Sequence, residues 1–337
     1  MARKAEVTLE FQQYINQPPA SPTDLYKQAC SNDDVTIDTW LKTWVGNIKT
    51  NREKFGSFKD RGVGKLFGSN ELKPAIVAGS GPSLAYNSDQ LKDRNGIPLI
   101  SCLHNFHHFV DKDIPVDYWV SLDAGDVTLE EIWEGGKNTP DFYREKTKDQ
   151  KLVCFIGSSP KLLDYWGGEV YFFNAPVPSD EYRKQCDEIE PFYTYLSTGG
   201  NVLGAAVYFA KGVLGANPIA FVGADFCFSY EKKFHGWDSK YDKNVGKVLK
   251  VFDIFGMPVF SWQSYLNFKC FFEYVAMKVP GLYVNCSEGG TLGAHLEGNI
   301  RHITQMELQE FLNMYRMHRL IEGQCKQPEI LEQKILY

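Results

Sequence analysis

The feature that most constrains the fold is a series of short apolar runs that alternate with helical or polar stretches. From Pro74 onward the runs cover residues 75–78, 98–102, 116–122, 151–156, 170–173, 218–222 and 281–284. Several of them are almost continuously apolar, as expected for parallel strands that are covered on both faces. Strands that alternate with crossover helices in this way predict a doubly wound α/β fold with a mostly parallel sheet.

Helical segments are predicted before and after the strands in the sequence. Apolar residues recur at three- and four-residue spacing within residues 36–54 and predict an amphipathic helix there: Ile37, Trp40, Leu41, Trp44, Val45 and Ile48. A second amphipathic helix is predicted over residues 304–320. We therefore divide the 337 residues into a polar N-terminal arm (1–35), a helical preface and linker (36–73), a Rossmann-like domain (74–300) and a C-terminal helix and tail (301–337).

Composition and charge exclude several classes of protein. The formal net charge of -6 argues against a general nucleic-acid binder, because neutralising phosphates requires concentrated Lys and Arg. The apolar runs are too short to span a membrane, and the N-terminal residues lack the apolar stretch of a secretory signal. The 8 cysteines form no CxxC pair, which favours reduced, buried thiols and a cytoplasmic location.

Polar and small residues follow the predicted strands. In open parallel sheets, ligands bind beyond the carboxyl ends of the strands. The residues that stand there are Gly79, Ser80, Gly81, Pro82, Ser83, Asn105, Asp123, Asp225 and Glu288. Loops favour these residue types in any case, but their repetition at successive strand ends predicts one polar crevice.

The first of these segments, AGSGPSL, connects a strand to a predicted helix. Gly79 and Gly81 permit a positive φ and close backbone approach, and Pro82 suits the first position of a helix. The amides of Ser83 and Leu84, with the Ser83 hydroxyl, would then face an anion at the helix N-terminus. The segment is neither a Walker loop nor the dinucleotide fingerprint. A tight turn that binds no ligand is the competing interpretation.

A second glycine-rich segment precedes another predicted helix. Thr198 is predicted to cap that helix, while Gly199, Gly200 and Asn201 bring its first turn close to a ligand. The strand that follows leads to Asp225. An acid in that place could accept hydrogen bonds from a sugar hydroxyl, hold a metal, or cap its own loop.

Taken together, AGSGPSL and STGGNVLGAAVYFAKGVLGANPIAFVGADF resemble the MptE-like family. That family groups archaeal 6-hydroxymethylpterin diphosphokinases with the motility accessory factor (Maf) flagellin glycosyltransferases. The same two segments are similar to the CMP-sialic-acid-dependent bacterial sialyltransferases, and NCSEGG at residues 285–290 resembles a late segment of the Maf branch. The resemblance covers residues 44–293 and implies that the Rossmann-like domain is a nucleotide-binding transferase.

The resemblance also implies roles for individual residues. Residues 79–83 would hold the phosphate and ribose of the nucleotide, Asn105 would touch the nucleotide, and Thr198, Gly199 and Gly200 would bind it through backbone amides. Asp225 would close the pocket. His235, on the polar loop beyond Asp225, is the nearest candidate for the catalytic histidine of the sialyltransferases and could act as a general base; a surface role is the alternative.

Three functions remain open from the sequence. The leading hypothesis is a glycosyltransferase that uses a nucleotide-activated sugar, CMP-linked in the simplest case, and an acceptor that is a glycan, a protein or a pterin. The first alternative is pyrophosphoryl transfer from ATP to a pterin alcohol, with Mg²⁺ held by Asp123, Asp225 and Glu288. The second is a nucleotide-binding module without catalysis. The oligomeric state is open as well.

Overall fold

The computed structural model describes residues 9–11, 22–126, 129, 139–228, 248–294 and 302–324. The strands in these ranges are β1 (Leu9–Phe11), β2 (Ala75–Ala78), β3 (Leu99–Cys102), β4 (Tyr118–Ser121), β5 (Lys151–Phe155), β6 (Glu169–Phe173), β7 (Ile219–Val222), β8 (Val248–Phe252), β9 (Pro258–Ser261), β10 (Tyr283–Asn285) and β11 (Ile303–Gln305). The α-helices are α1 (Pro22–Phe55), α2 (Leu84–Asn87), α3 (Phe106–Asp111), α4 (Pro140–Thr147), α5 (Pro160–Asp164), α6 (Asp180–Ile189), α7 (Val202–Tyr208), α8 (Gln263–Lys278) and α9 (Leu308–Gln324).

A parallel sheet forms the centre of the molecule. Its strand order is β11-β10-β7-β2-β3-β4-β5-β6, and adjacent strands pair in parallel throughout. The central strands β2, β3 and β7 are buried at every residue, as parallel strands between two helical layers must be. The predicted doubly wound α/β fold is therefore confirmed, and each predicted apolar run overlaps one strand of this sheet.

The remaining strands were not predicted from the sequence. β8 and β9 pair as an antiparallel hairpin, and β1 joins β8 in parallel to make a small second sheet. β11 lies at the edge of the main sheet, so the predicted helix over residues 304–320 was wrong at its start: α9 begins at Leu308. Three residues are too few to show the alternation that identifies a strand in a sequence.

Helix α1 crosses the carboxyl edge of the main sheet. Trp44 packs on Phe155, and Phe55 packs on Phe172. The side chains of Phe155 and Phe172 point to opposite faces of the sheet, because Phe172 pairs in register with Cys154, the neighbour of Phe155. The helix begins at Pro22, so it extends into the segment that the sequence analysis treats as a polar arm. Among the helices that the structure describes, none is long and apolar enough to cross a membrane.

Candidate functional site

The order of the strands locates a topological switch point between β2 and β7. From β2 the chain proceeds outward through β3, β4, β5 and β6, and then returns to add β7 on the opposite side of β2. In doubly wound sheets the ligand crevice lies at the carboxyl ends of the strands where the winding reverses. The loop after β2 carries residues 79–83 and the loop after β7 carries Asp225, so both lie at this point.

Asp225 holds these two loops together. Its buried carboxylate accepts a hydrogen bond from the Ser83 backbone N–H at 2.7 Å and another from the Ser83 hydroxyl at 2.6 Å. Burial raises the pKa of Asp225 from 3.8 to about 6, although the bonds from Ser83 oppose this rise. The Ser83 donors that we expected to face a ligand anion are therefore bound to a carboxylate of the protein itself.

The glycines after β2 are required for space and not for an unusual φ. A Cβ atom at Gly81 would lie 2.4 Å from Oδ2 of Asp225, and one at Gly79 would lie 2.5 Å from the carbonyl oxygen of Gly223. The N–H of Gly81 donates to that same carbonyl at 2.8 Å. The positive φ that glycine permits is not used at Gly79 or Gly81, whereas Gly223 does have a φ of 61°. Pro82 lies two residues before the first residue of α2, so its predicted place at the first helical position was also wrong.

Asn105 lies next to the same loop, at the end of β3. Its Nδ2 donates to the carbonyl oxygen of Gly79 at 2.9 Å and to Oγ of Ser101 at 3.0 Å. These two bonds orient the carboxamide, and they leave its Oδ1 buried without a hydrogen-bond partner among the residues that the structure describes. Such an acceptor is uncommon in a folded protein and calls for a partner from outside this part of the chain.

Two further asparagines have the same arrangement. Asn51 of α1 and Asn87 of α2 each use Nδ2 as a donor, and each leaves a buried Oδ1 without a partner in the described ranges. Asn51 donates to the carbonyl oxygens of Ile156 and Ser158 after β5, and Asn87 donates to that of Cys286 and to the Glu288 carboxylate after β10. Unsatisfied carboxamide oxygens thus recur along the carboxyl edge. Sequence reasoning missed Asn51 and Asn87, because an asparagine within a helix carries no signal of such a role.

The start of α7 lies close to the switch point. Cδ2 of Leu203 lies 3.4 Å from the Cβ position of Gly79, so the first turn of α7 lies beside the loop after β2. Asn201, and not Thr198, caps the helix, since its Oδ1 accepts the N–H of Gly204 at 2.8 Å. The predicted cap at Thr198 was wrong; Oγ1 of Thr198 accepts the N–H of Gly200 at 3.2 Å.

The glycine pair before α7 packs against α8. A Cβ atom at Gly199 would lie 2.3 Å from the ring of Phe271, and one at Gly200 would lie 3.2 Å from the ring of Phe268. Both glycines have positive φ, 57° and 81°. Gly200 is exposed, so of the two it is the one that a ligand could approach.

Asp123 and Glu288 follow strands that are four positions apart in the sheet. Glu288, which follows β10, accepts the N–H of Leu308 at 3.0 Å and so holds the first turn of α9. Asp123 is exposed after β4, and β3, β2 and β7 separate β4 from β10. Four strand spacings amount to about 19 Å. Ser80 is half-buried in the turn between Gly79 and Gly81, and His235 lies outside the described residues.

Two residues other than glycine have left-handed backbone conformations at the carboxyl edge of the main sheet. Phe226, directly after Asp225, has a φ of 50°, and Glu288 has a φ of 59°. Such a conformation costs free energy in a bulky residue and persists only where the surroundings impose it. Thr291 provides part of that constraint, because its N–H donates to the carbonyl oxygen of Asp225 at 2.8 Å. Strain of this kind tends to collect at functional sites.

With the geometry in place, comparison with known proteins assigns the chain to a family. Residues 42–231 match the family described as 6-hydroxymethylpterin diphosphokinase MptE-like, which is more than half of the chain. The chain belongs to the MptE-like family. The matched span of this MptE-like protein contains both glycine-rich segments and Asp225. None of the curated proteins matches it.

A solved structure shares the fold of this MptE-like chain. It is the Maf glycosyltransferase from Magnetospirillum magneticum AMB-1, with a TM-score of 0.52 and 14% sequence identity. The similarity covers 79% of the present chain and 42% of that glycosyltransferase, so the chain spans less than half of its length. At this identity the likeness concerns the fold. The similarity of the two segments to sialyltransferases stays a prediction.

Proposed function

We propose that this MptE-like protein is a transferase that binds a nucleotide donor at the β2/β7 switch point and passes a glycosyl group from it to an acceptor hydroxyl. The observation that carries the proposal is the Asn105 carboxamide. Its Nδ2 is fixed by Gly79 and Ser101, and its buried Oδ1 has no partner in the described part of the chain, beside the loop where a doubly wound sheet places its ligand. An acceptor held in this way suits a hydroxyl or amino group of a nucleotide.

The loop geometry supports separate roles for the segments around the crevice. Because Asp225 already occupies the Ser83 donors, residues 79–83 form a fixed wall of the crevice, and the proposal places the nucleotide between this wall and the exposed Gly200. The CMP-linked donor is the simplest case, since a single phosphate departs with the nucleotide. The acceptor hydroxyl then loses a proton to a base, for which His235 is our first candidate and Glu288 or Asp123 the alternative.

The pyrophosphokinase alternative is favoured by the description of the family itself. It would place Mg²⁺ between carboxylates to neutralise the transferring phosphates. Asp123, Asp225 and Glu288 are poorly arranged for such a metal site. The Asp225 carboxylate binds Ser83, Glu288 binds the N–H of Leu308, and Asp123 lies on a distant strand. We therefore derive no metal-dependent step from these residues, and we rank glycosyl transfer first.

A thermal-shift panel tests the proposal. CMP, CDP, UDP, GDP, ATP and a pterin are added with and without Mg²⁺, and a ligand present at 100 times its Kd should raise the free energy of unfolding by about 2.7 kcal/mol. Stabilisation by CMP without metal supports glycosyl transfer. A response confined to ATP with Mg²⁺ supports the kinase, and nucleotide binding without turnover of any acceptor supports the non-catalytic module.

A matched pair of variants separates ligand binding from general stability. Asn105→Ser removes the two Nδ2 bonds and the unpaired Oδ1 at the carboxyl edge. Asn70→Ser removes two comparable bonds, to the carbonyl oxygens of Lys73 and Pro74, just before β2 at the opposite edge. Both variants should melt earlier than the parent, and only Asn105→Ser should lose the nucleotide-induced shift. Equal shifts in both variants would remove Asn105 from the proposal.

A further inference from the structure

Helix α1 binds the loops after β4 and β5 through two asparagine side chains. Nδ2 of Asn47 donates to the carbonyl oxygens of Ala124 and Gly157, both at 2.9 Å. Nδ2 of Asn51 donates to those of Ile156 and Ser158, also at 2.9 Å. The two asparagines are four residues apart and so lie on the same face of the helix. Each carboxamide therefore spans two carbonyl groups of the carboxyl edge.

The bonds of Asn47 join two different loops. Ala124 follows β4 and Gly157 follows β5, and the loops also contact one another directly. The N–H of Ser159 donates to the carbonyl oxygen of Asp123 at 3.0 Å, and Oγ of Ser159 donates to Asp126 at 2.9 Å. Asp126 is in turn paired with Lys161. Helix α1 and the two loops therefore form one bonded unit that carries Asp123.

Anchoring a helix does not by itself require such bonds. Apolar contacts such as those of Trp44 and Phe55 already attach α1 to both faces of the sheet. Carboxamide hydrogen bonds are directional and involve desolvated polar groups, so what they add is a defined orientation of the loop backbone. Asn51 is fully buried, and its Oδ1 lacks a partner among the described residues, which shows that orientation here is maintained at a cost in stability.

We infer that Asn47 and Asn51 are positioning residues that set the acceptor half of the crevice. Asn47 holds the loop of residues 122–126 directly, and Asn51 holds the loop after β5, whose Ser159 is bonded to Asp123. The exposed Asp123 is thereby held one strand beyond Asn105 and beside α1. The donor half lies at β2 and β7, and the acceptor, a molecule with a free hydroxyl, lies between Asn105 and α1. The assignment to an acceptor rests on the proposed function; the positioning itself does not.

Asn47→Ala tests the inference without unfolding α1, since Asn51 retains its two bonds. Thr50→Ala is the matched control, because the exposed Thr50 hydroxyl donates to the carbonyl oxygen of Gly46 within the same helix and not to a loop. Hydrogen exchange of a peptide spanning residues 118–126 should become about tenfold faster in Asn47→Ala and stay unchanged in Thr50→Ala. Should Asn47→Ala lack a cooperative melt, Asn47→Ser takes its place. Unchanged exchange in a folded variant overturns the inference.

A second measurement tests the acceptor assignment. With the donor identified by the thermal-shift panel, Asn47→Ala should bind it within about twofold of the parent while transfer to the acceptor falls about 10- to 100-fold. A donor Kd that weakens as much as the transfer rate would place α1 on the donor side and overturn the assignment. Faster exchange in a protein that binds no nucleotide would leave the positioning standing and refute the proposed function.

Discussion

Ser83 and Asp225 are 142 residues apart in the chain, yet both donors of Ser83 bind the two carboxylate oxygens of Asp225. One of the two residues follows β2 and the other follows β7, so their contact joins the two halves of the sheet at the switch point. The contact holds the two segments together through groups of the protein itself. It also gives Asp225 a structural role at the wall of the crevice, whereas the predicted catalytic role of Asp225 stays a prediction.

Asp225→Asn should flatten the pH dependence of stability between pH 4 and 6. Burial raises the folded-state pKa of Asp225 from 3.8 to about 6, so the folded protein binds this proton more tightly than the unfolded chain does. The resulting stabilisation is fully present below pH 4 and is lost as the pH rises through 6, a change of about 3 kcal/mol. Chemical denaturation of parent and variant across this range measures it. Parallel profiles would show that Asp225 does not titrate there.

Gly81→Ala should destabilise the protein by about 2–3 kcal/mol. The new Cβ would lie 2.4 Å from Oδ2 of Asp225 and 2.7 Å from the carbonyl oxygen of Gly223, and the second of these is backbone that cannot rotate away. Gly46→Ala is the control, because no described atom lies within 4 Å of the new Cβ at that position in α1. It should be stabilising by up to about 1 kcal/mol. Urea unfolding of both variants gives the comparison, and a tolerated alanine at residue 81 would contradict the described packing.

Gly200→Val should abolish nucleotide binding while the fold persists. Gly200 is exposed at the start of α7 with a φ of 81°, so a branched side chain is strained there and fills the space beside the crevice. Gly56→Val is the control. Gly56 has a similar φ of 75°, and no described atom lies within 4 Å of its Cβ position, so valine there reproduces the backbone strain away from the crevice. Each variant should lose about 1–2 kcal/mol of stability. Titration with the nucleotide should separate them, and equal affinities would mean that the loop is only a turn.

His235→Ala should lower turnover by about 10²–10⁴-fold with little change in donor affinity, as expected for the loss of a general base. Asp123→Ala is the variant whose turnover is compared with that of His235→Ala. If the reaction is glycosyl transfer with His235 as the base, Asp123→Ala should have the smaller effect on kcat. If the reaction is pyrophosphoryl transfer, the order should reverse. Steady-state kinetics of the two variants on the same acceptor decide between them, and an unaffected His235→Ala leaves Asp123 or Glu288 as the base.

Sequence patterns predicted the sheet well because its strands are defined locally. The runs at 75–78 and 151–156 are apolar over four or more consecutive residues, and burial on both faces of a parallel sheet requires just that. The three-residue strands β1 and β11 are too short for a comparable signal, and Lys250 interrupts the apolar residues of β8. The pairing of β1 also depends on a partner that is distant in the chain, as with Leu9 and Val248.

The sequence by itself determined the fold class, the order of the strands along the chain and the residue types at their carboxyl ends. Only the tertiary structure decided which of those residues already have hydrogen-bond partners within the protein. A hydroxyl or carboxylate at a strand end is equally suited to a ligand and to another loop, and the choice depends on which loops the winding of the sheet brings together. Ser83 meets Asp225 because β2 and β7 are neighbours in space and not in sequence. Glu288 meets Leu308, and the oxygen of Asn105 has no hydrogen-bond partner among the described residues.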